Sequence, residues 1–226
     1  MTRANLDNRL HKLLDEILAL NSMVETATLQ SIEALKNHDL ELAKQIYYGD
    51  AQINARRFEL ENDCMITIAT QQPIVAHDLR LIASILEVVA ELERMGDYAK
   101  GIAKICLQIG STPHVKPLVD IPRMAEIAVS MLHRSVLAFV QFDAETAREI
   151  PKEDDEVDAL YKQVYRELVS IMFSNPSTID QANYLMWAAH NLERMADRVT
   201  NICERAIYVA TGQMKEIDVS DDEGPV

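Results

Sequence analysis

Leu92-Glu93-Arg94-Met95-Gly96-Asp97 is written a second time as Leu192-Glu193-Arg194-Met195-Ala196-Asp197, each residue 100 positions after its counterpart. In both copies a Glu and an Asp stand four apart within a segment of helical apolar periodicity, so both carboxylates leave the same side of a helix. With Leu92 at the middle of the apolar stripe, a turn of about 100° per residue sets Glu93 and Asp97 at roughly 100–140° from that middle. They flank the buried face. The second copy gives the same angles for Glu193 and Asp197.

Outward from these copies the whole chain reads as a duplication. Six Gly and seven Pro in 226 residues, with abundant Ala, Leu, Ile, Glu and Met, make a helical composition. Leu6 to Lys36 carries apolar residues at three- and four-residue steps, a long amphipathic helix. Asn37-His38-Asp39 breaks it, and Asp39 reads as the N-cap of a second helix reaching about Gln71-Gln72, where Pro73 stops it and starts a third that ends near Gly110. Ser111-Thr112-Pro113-His114-Val115-Lys116-Pro117 is a linker.

The second half repeats the plan. A fourth helix is predicted over about Pro122 to Phe139, and Asp143-Ala144-Glu145 answers Asp39-Leu40-Glu41 at an offset of 104. Pro151 is expected to kink the fifth helix. Ser174-Asn175-Pro176-Ser177 mirrors the Pro73 turn, and a last helix continues towards Gly212. The predicted fold is all-α: two tandem, pseudo-symmetric three-helix bundles of six long antiparallel helices, joined end to end or side by side. The halves span residues 1–112 and 117–213, and 214–226 is an acidic tail expected to be disordered.

Charge and cysteine usage narrow the function. With 22 basic and 36 acidic residues the formal charge is −14, which repels nucleic acid and anionic membranes. Cys64, Cys106 and Cys203 lie far apart in apolar helical contexts and read as buried free thiols of a reducing cytosol. No apolar run approaches the ~18 residues of a membrane span, so the expectation is a soluble, cytoplasmic protein. No Gly-rich phosphate loop, nucleophile elbow or Cys/His zinc spacing appears, and the Glu-x-x-His pattern of ferritin-like di-iron sites is missing.

Antiparallel helices joined by a tight turn bring together residues equally far from it. Counted from Pro73, Asp50 matches Asp97 and Asn54 matches Glu93; counted from Pro176, Asp154 matches Asp197 and Asp158 matches Glu193, each to one residue, an axial mismatch of about 1.5 Å. The second half thus gathers four carboxylates and the first three with an amide. Carboxylates that close repel one another and raise one another's pKa unless a cation intervenes. Arg94 and Arg194 project to the opposite side of their helices and can serve a neighbouring helix instead. Hard oxygen ligands suit Mg²⁺, Mn²⁺, Ca²⁺ or iron, one site or cluster per half. His190, three residues before Glu193, shares its flank and is a further candidate ligand. Solvated acids in surface salt bridges are the competing reading. Asp78 and Arg80, at the start of the third helix, read mainly as architecture.

On these residues a resemblance becomes specific. The two three-helix halves, the Gln72-Pro73-Ile74-Val75-Ala76-His77-Asp78-Leu79-Arg80 turn and the twice-written Leu-Glu-Arg-Met-(Gly/Ala)-Asp resemble the PhoU family of phosphate-signalling proteins over about residues 5–212. The resemblance implies a cytoplasmic negative regulator of phosphate uptake and of the phosphate-starvation response. Its partners would be the ATPase subunit of the phosphate ABC transporter and a membrane sensor histidine kinase, with no nucleic acid and no membrane insertion. It also implies a homodimer and ions such as iron, zinc, manganese or magnesium, held here by Asp50, Glu93, Asp97, Asp154, Asp158, Glu193 and Asp197. Asn54 departs from the acidic pattern, an amide offering one neutral oxygen in place of a charge. Asp78, Arg80, Arg94 and Arg194 are candidates for contact with partners. An adaptor and not an enzyme is the leading expectation; the alternatives are a metal-dependent phosphohydrolase using the same carboxylates, and a purely structural helical scaffold.

Overall fold

Asp39 and Asp143 set the frame. In the computed structural model, which describes residues 3–71 and 73–217, Asp39 accepts hydrogen bonds from the amides of Glu41 and Leu42 at 3.1 and 2.9 Å, and Asp143 accepts from those of Glu145 and Thr146 at 3.0 and 3.1 Å. Each closes the exposed first turn of a helix. The helix before each cap ends on a left-handed residue, His38 (φ 55°) and Phe142 (φ 57°). The amides of Asp39 and Asp143 then reach back to the carbonyls of Ala34 and Ala138 at 2.9 Å, a Schellman closure in both halves. Asp39→Ala or Asp143→Ala is expected to lower stability by about 1 kcal/mol, read from urea unfolding; no change would mean the first turn is capped by something else.

The helices are α1 (Arg3–Asn37), α2 (Leu40–Thr70), α3 (Ala76–Ile109), α4 (Asp120–Gln141), α5 (Ala144–Glu149), α6 (Asp154–Ser174) and α7 (Ile179–Thr211). No strand occurs among the described residues. The protein is therefore all-α, two three-helix bundles as the periodicity predicts. Three local expectations change. Pro73 does not open the third helix: Val75 is extended (φ −87°, ψ 161°) and α3 begins at Ala76, β-branched Ile74 and Val75 favouring the extended turn. Pro151 does more than kink the fifth rod. It sits in a 3-10 turn, Ile150–Glu153, that breaks the rod into α5 and α6, because proline lacks the amide an α-helix needs there. The start of the acidic tail is ordered: the Ile217 amide donates to Glu204 Oε1 at 2.9 Å, and Ile217 packs against the core. The rest of the tail reading, 218–226, lies outside the described residues.

The halves lie side by side. α3 packs along α7, and α1 along α4, so one hydrophobic core runs through both bundles. Leu92, Met95, Leu192 and Met195, the apolar members of the repeated motif, are all fully buried at this seam. Gly101 allows the close approach, since a Cβ there would lie 3.0 Å from Asn191 Nδ2. Its one internal difference, Gly96 against Ala196, is a volume exchange. A Cβ on Gly96 would meet Ile53 at 3.1 Å, whereas the residue facing Ala196 by the same repeat is the smaller Val157, also buried. Cys64, Cys106 and Cys203 are free and buried. Burial pushes the Cys64 and Cys203 thiols up to about 12, so none is poised for thiolate chemistry. Among the described residues no helix is long and apolar enough to cross a membrane.

Candidate metal centre

Acids paired by the two turns interact across the seam of each half, Asp50 with Asp97 in the first and Asp154 with Asp197 in the second, with opposite electrostatic outcomes. In the first half Asp50 is 4% exposed. Lys100 Nζ donates to its Oδ2 at 2.7 Å, and Asn54 Nδ2 donates to the same oxygen at 2.9 Å. Lys100 also stands 3.8 Å from Asp97 Oδ1. Arg57 pairs with Glu93 at 3.0 Å and with Glu61 at 2.8 Å. The chain supplies its own cations here. Asp97 is still raised above the usual carboxylate range by partial desolvation and by Asp50, with Lys100 and Arg57 opposing.

The second half keeps the acids and drops the cations. The repeat offsets of 100 and 104 put Thr200 where Lys100 stands and Tyr161 where Arg57 stands, while Asp158 replaces Asn54. Asp154 is 7% exposed, and its Oδ1 is buried with no hydrogen-bond partner among the described residues. Burial, then Asp197, Asp158 and Glu193, push its carboxyl up to about 7. Burial, then Asp197 and Asp158, push Glu193 up to about 7. Partial desolvation and Asp158 raise Asp197. Asp154, Glu193 and Asp197 are thus each raised by acidic neighbours at the α6–α7 seam, Asp158 among them. Thr200 Oγ1 and Glu193 Oε2 are likewise buried without hydrogen-bond partners.

The surrounding bases do not offset this. His190 Nδ1 lies 3.2 Å from Glu193 Oε2 but without hydrogen-bond alignment, and its ring packs against Trp187 and Tyr161. Lys162 stands 3.6 Å from Asp158 at the exposed rim. Arg194 turns away to the Tyr98 hydroxyl at 3.2 Å, serving the neighbouring helix as its angle predicts. Arg198 goes to Tyr98 at 3.1 Å and to Glu91 at 3.1 Å, tying α7 to α3. Arg94 pairs with Glu91 on its own helix at 2.8 Å.

Asp78 is fully buried, both of its oxygens taken by Arg3 Nη1 and Nη2 at 2.5 and 3.0 Å. Burial removes it from any exposed contact surface. Arg80 is half-buried, its guanidinium lying under Gly212 at the end of α7. The pairs Lys100/Thr200 and Arg57/Tyr161, which decide how each cluster is balanced, escaped the reading of the acids. Carrying the two offsets a few residues further along each helix would have found them.

Oxygen-only donors with one imidazole beside them suit a hard or borderline divalent cation. The donor chemistry of the second half suits such an ion, Asp154 Oδ1 and Glu193 Oε2 being buried without hydrogen-bond partners; Asp50 Oδ1 is unpartnered too, but its carboxylate is held by Lys100. In the first half Lys100 and Arg57 already fill that role. Among the described residues no three His, Cys, Asp or Glu side chains converge closely enough to ligate a single ion, so ligation there requires side-chain rotation about the α6–α7 seam.

Comparison with known proteins agrees with this architecture. The PhoU domain family matches residues 8–106 and 121–206, one block in each half. The chain belongs to the PhoU family. A phosphate-specific transport system accessory protein PhoU homolog of Clostridium acetobutylicum is 38% identical over 221 residues, covering 98% of this chain and 100% of that protein. The accessory protein PhoU of Escherichia coli is 34% identical over 198 residues, covering 88% and 82%. Among solved structures, the phosphate transport system regulatory protein PhoU from Streptococcus pneumoniae superposes with a TM-score of 0.85 at 31% identity, over 93% of this chain and 99% of that one. PhoU from Pseudomonas aeruginosa gives 0.86 at 33% identity, over 92% and 99%. In this PhoU chain the family's duplicated fold thus carries two acidic clusters that are not equivalent.

Proposed function

We propose that this chain is a cytoplasmic accessory regulator of phosphate transport that restrains phosphate uptake and the phosphate-starvation response, acting as a non-catalytic adaptor between the phosphate ABC transporter's ATPase subunit and a sensor histidine kinase. The observation that carries it is likeness along nearly the whole chain to PhoU accessory proteins. The second-half cluster adds the physical element. Asp154, Asp158, Glu193 and Asp197, with His190 at the edge, would hold a divalent cation, which when bound supplies local positive charge on a protein of charge −14. Partner state or ion occupancy then shifts which complex is populated. The first cluster would take an ion only if Lys100 and Arg57 were displaced, which makes the second half the working site.

The test is capture of the purified transporter ATPase and of the kinase's cytoplasmic portion by the immobilised chain, at high and low phosphate with Mn²⁺ present. Binding of at least one partner is expected, changing with phosphate and weakened at least tenfold by Asp197→Asn. Binding to neither at either phosphate level would sink the adaptor reading, and turnover of a phosphate ester abolished by Asp197→Asn would replace it with a hydrolase.

A further inference from the structure

Beside the second acidic cluster lies a cavity of about 280 Å³ walled by Tyr161, Trp187 and His190. The His190 ring is 5.8 Å from that of Trp187, inclined at 69°, and 6.0 Å from that of Tyr161, inclined at 39°, so the rings are set at angles to one another instead of stacking shut. Trp187 is 55% exposed. Glu193 stands at the His190 end, 3.2 Å from the imidazole, and among the described residues no arginine pairs with it. The other half shows what the fold puts in this place. By the repeat offsets of 104 and 100, Tyr161 replaces Arg57, Tyr165 replaces Glu61, Trp187 replaces Glu87 and His190 replaces Ala90, while Glu193 keeps the place of Glu93. There the Arg57 guanidinium reaches Glu93 at 3.0 Å and Glu61 at 2.8 Å. The second half thus keeps one carboxylate of that arrangement, removes the guanidinium and sets an aromatic ring at each of the four places around it.

We infer that this cage receives the guanidinium of an exposed arginine on a partner protein, laid against the ring faces with its N–H groups on the Glu193 carboxylate, where the first half seats its own Arg57. Aromatic faces attract cations, and a planar guanidinium also stacks on them, which the point charge of a lysine does not. The carboxylate adds a charge-assisted hydrogen bond. Glu193 is open to such a visitor: its side chain is 21% exposed, against 14% for Glu93 beneath Arg57. The neighbouring Asp158 and Asp197 draw a cation in and turn anions away. A bare divalent ion seeks oxygen donors, which the acids along the seam supply and the ring faces do not. The cavity falls just short of the ~300 Å³ at which small-molecule pockets begin, a size that suits the head of one side chain. This inference deepens the adaptor reading by naming the chemistry of its docking residue, and rests on that reading for the partner.

Trp187 is the chain's single tryptophan, so its fluorescence reports on the cage alone. Titration of the full chain with a blocked glycine-arginine-glycine peptide, at low salt with EDTA present, should give a saturable change with a dissociation constant in the ~mM range, the scale of one stacked, ion-paired side chain. The same peptide with neutral citrulline for arginine should bind at least tenfold more weakly, and free L-arginine, whose α-carboxylate the acidic seam repels, no tighter than the peptide. Tyr161→Leu should weaken peptide binding about fivefold and Glu193→Gln about tenfold. Tyr161→Arg, which copies Arg57 and fills the cage from within, should abolish it; far-UV circular dichroism confirms that the variants stay helical. No saturable change, equal binding of the citrulline peptide, tighter binding of free L-arginine, or undiminished binding to Tyr161→Arg would each overturn the assignment. Any of these results with the ATPase or kinase still captured would remove the cage and keep the adaptor, whereas peptide binding with neither protein captured would keep the cage and remove the adaptor.

Discussion

Lys100→Thr is expected to destabilise the chain by about 3 kcal/mol, the lower end of what removing one partner of a buried ion pair costs. Lys100 is part exposed, but Asp50, to which it donates at 2.7 Å, is 4% exposed and keeps only Asn54 when the ammonium is gone. The substitution copies the second half, where Thr200 occupies this place. Combined with Arg57→Tyr, copying Tyr161, it leaves the first cluster short of cations as the second is. The double variant should then gain a stability increment from Mn²⁺ that the wild-type first half lacks, about 2.7 kcal/mol at an ion concentration 100 times the dissociation constant. Urea unfolding with and without Mn²⁺ measures both effects. A loss below about 1 kcal/mol would show that Asp50 is hydrated and that Lys100 does not govern the cluster.

The second large effect is a pH dependence with a definite sign. Asp154 and Glu193 are both held at about 7, above ordinary carboxylates, by burial and by their acidic neighbours. The folded state therefore binds more protons than the unfolded state between about pH 4 and pH 7. These groups weaken the fold as pH rises through that window, and the full penalty is present above it. Without added divalent ions the protein is expected to be less stable at pH 8 than at pH 5 by roughly 3 kcal/mol from this pair, mutual coupling discounted. Asp154→Asn should flatten the profile and raise the melting temperature at pH 8. Mn²⁺ should restore stability at pH 8 in the wild type and do little at pH 5, because it competes with the protons. Equal stability at both pH values, with no response to Mn²⁺, would mean the carboxylates are solvated and paired with nothing.

Much of this was legible before any coordinates. Strong periodicity, two Asp N-caps and an internal offset are local signals, and they place the helices to within a few residues. That Asp154 comes level with Asp197 was also legible, because helix rise is constant and a tight turn makes equal distances meet. The break at Ile150–Glu153 read as a kink, since a proline shows where an amide is missing but not how many residues the chain needs to recover.

The sequence by itself determined the all-α class, the duplication and the level at which the acids face one another, because these depend on spacing along single helices. Only the tertiary structure decided which acids remain uncompensated. Lys100 reaches Asp50 across 50 residues and Arg57 reaches Glu93 across the α2–α3 seam, while Arg198 is drawn away to Glu91 and Tyr98 in the other half. The direction of a long basic side chain is set by which helices pack beside it, and that side-by-side packing is a property of the folded core rather than of any one segment.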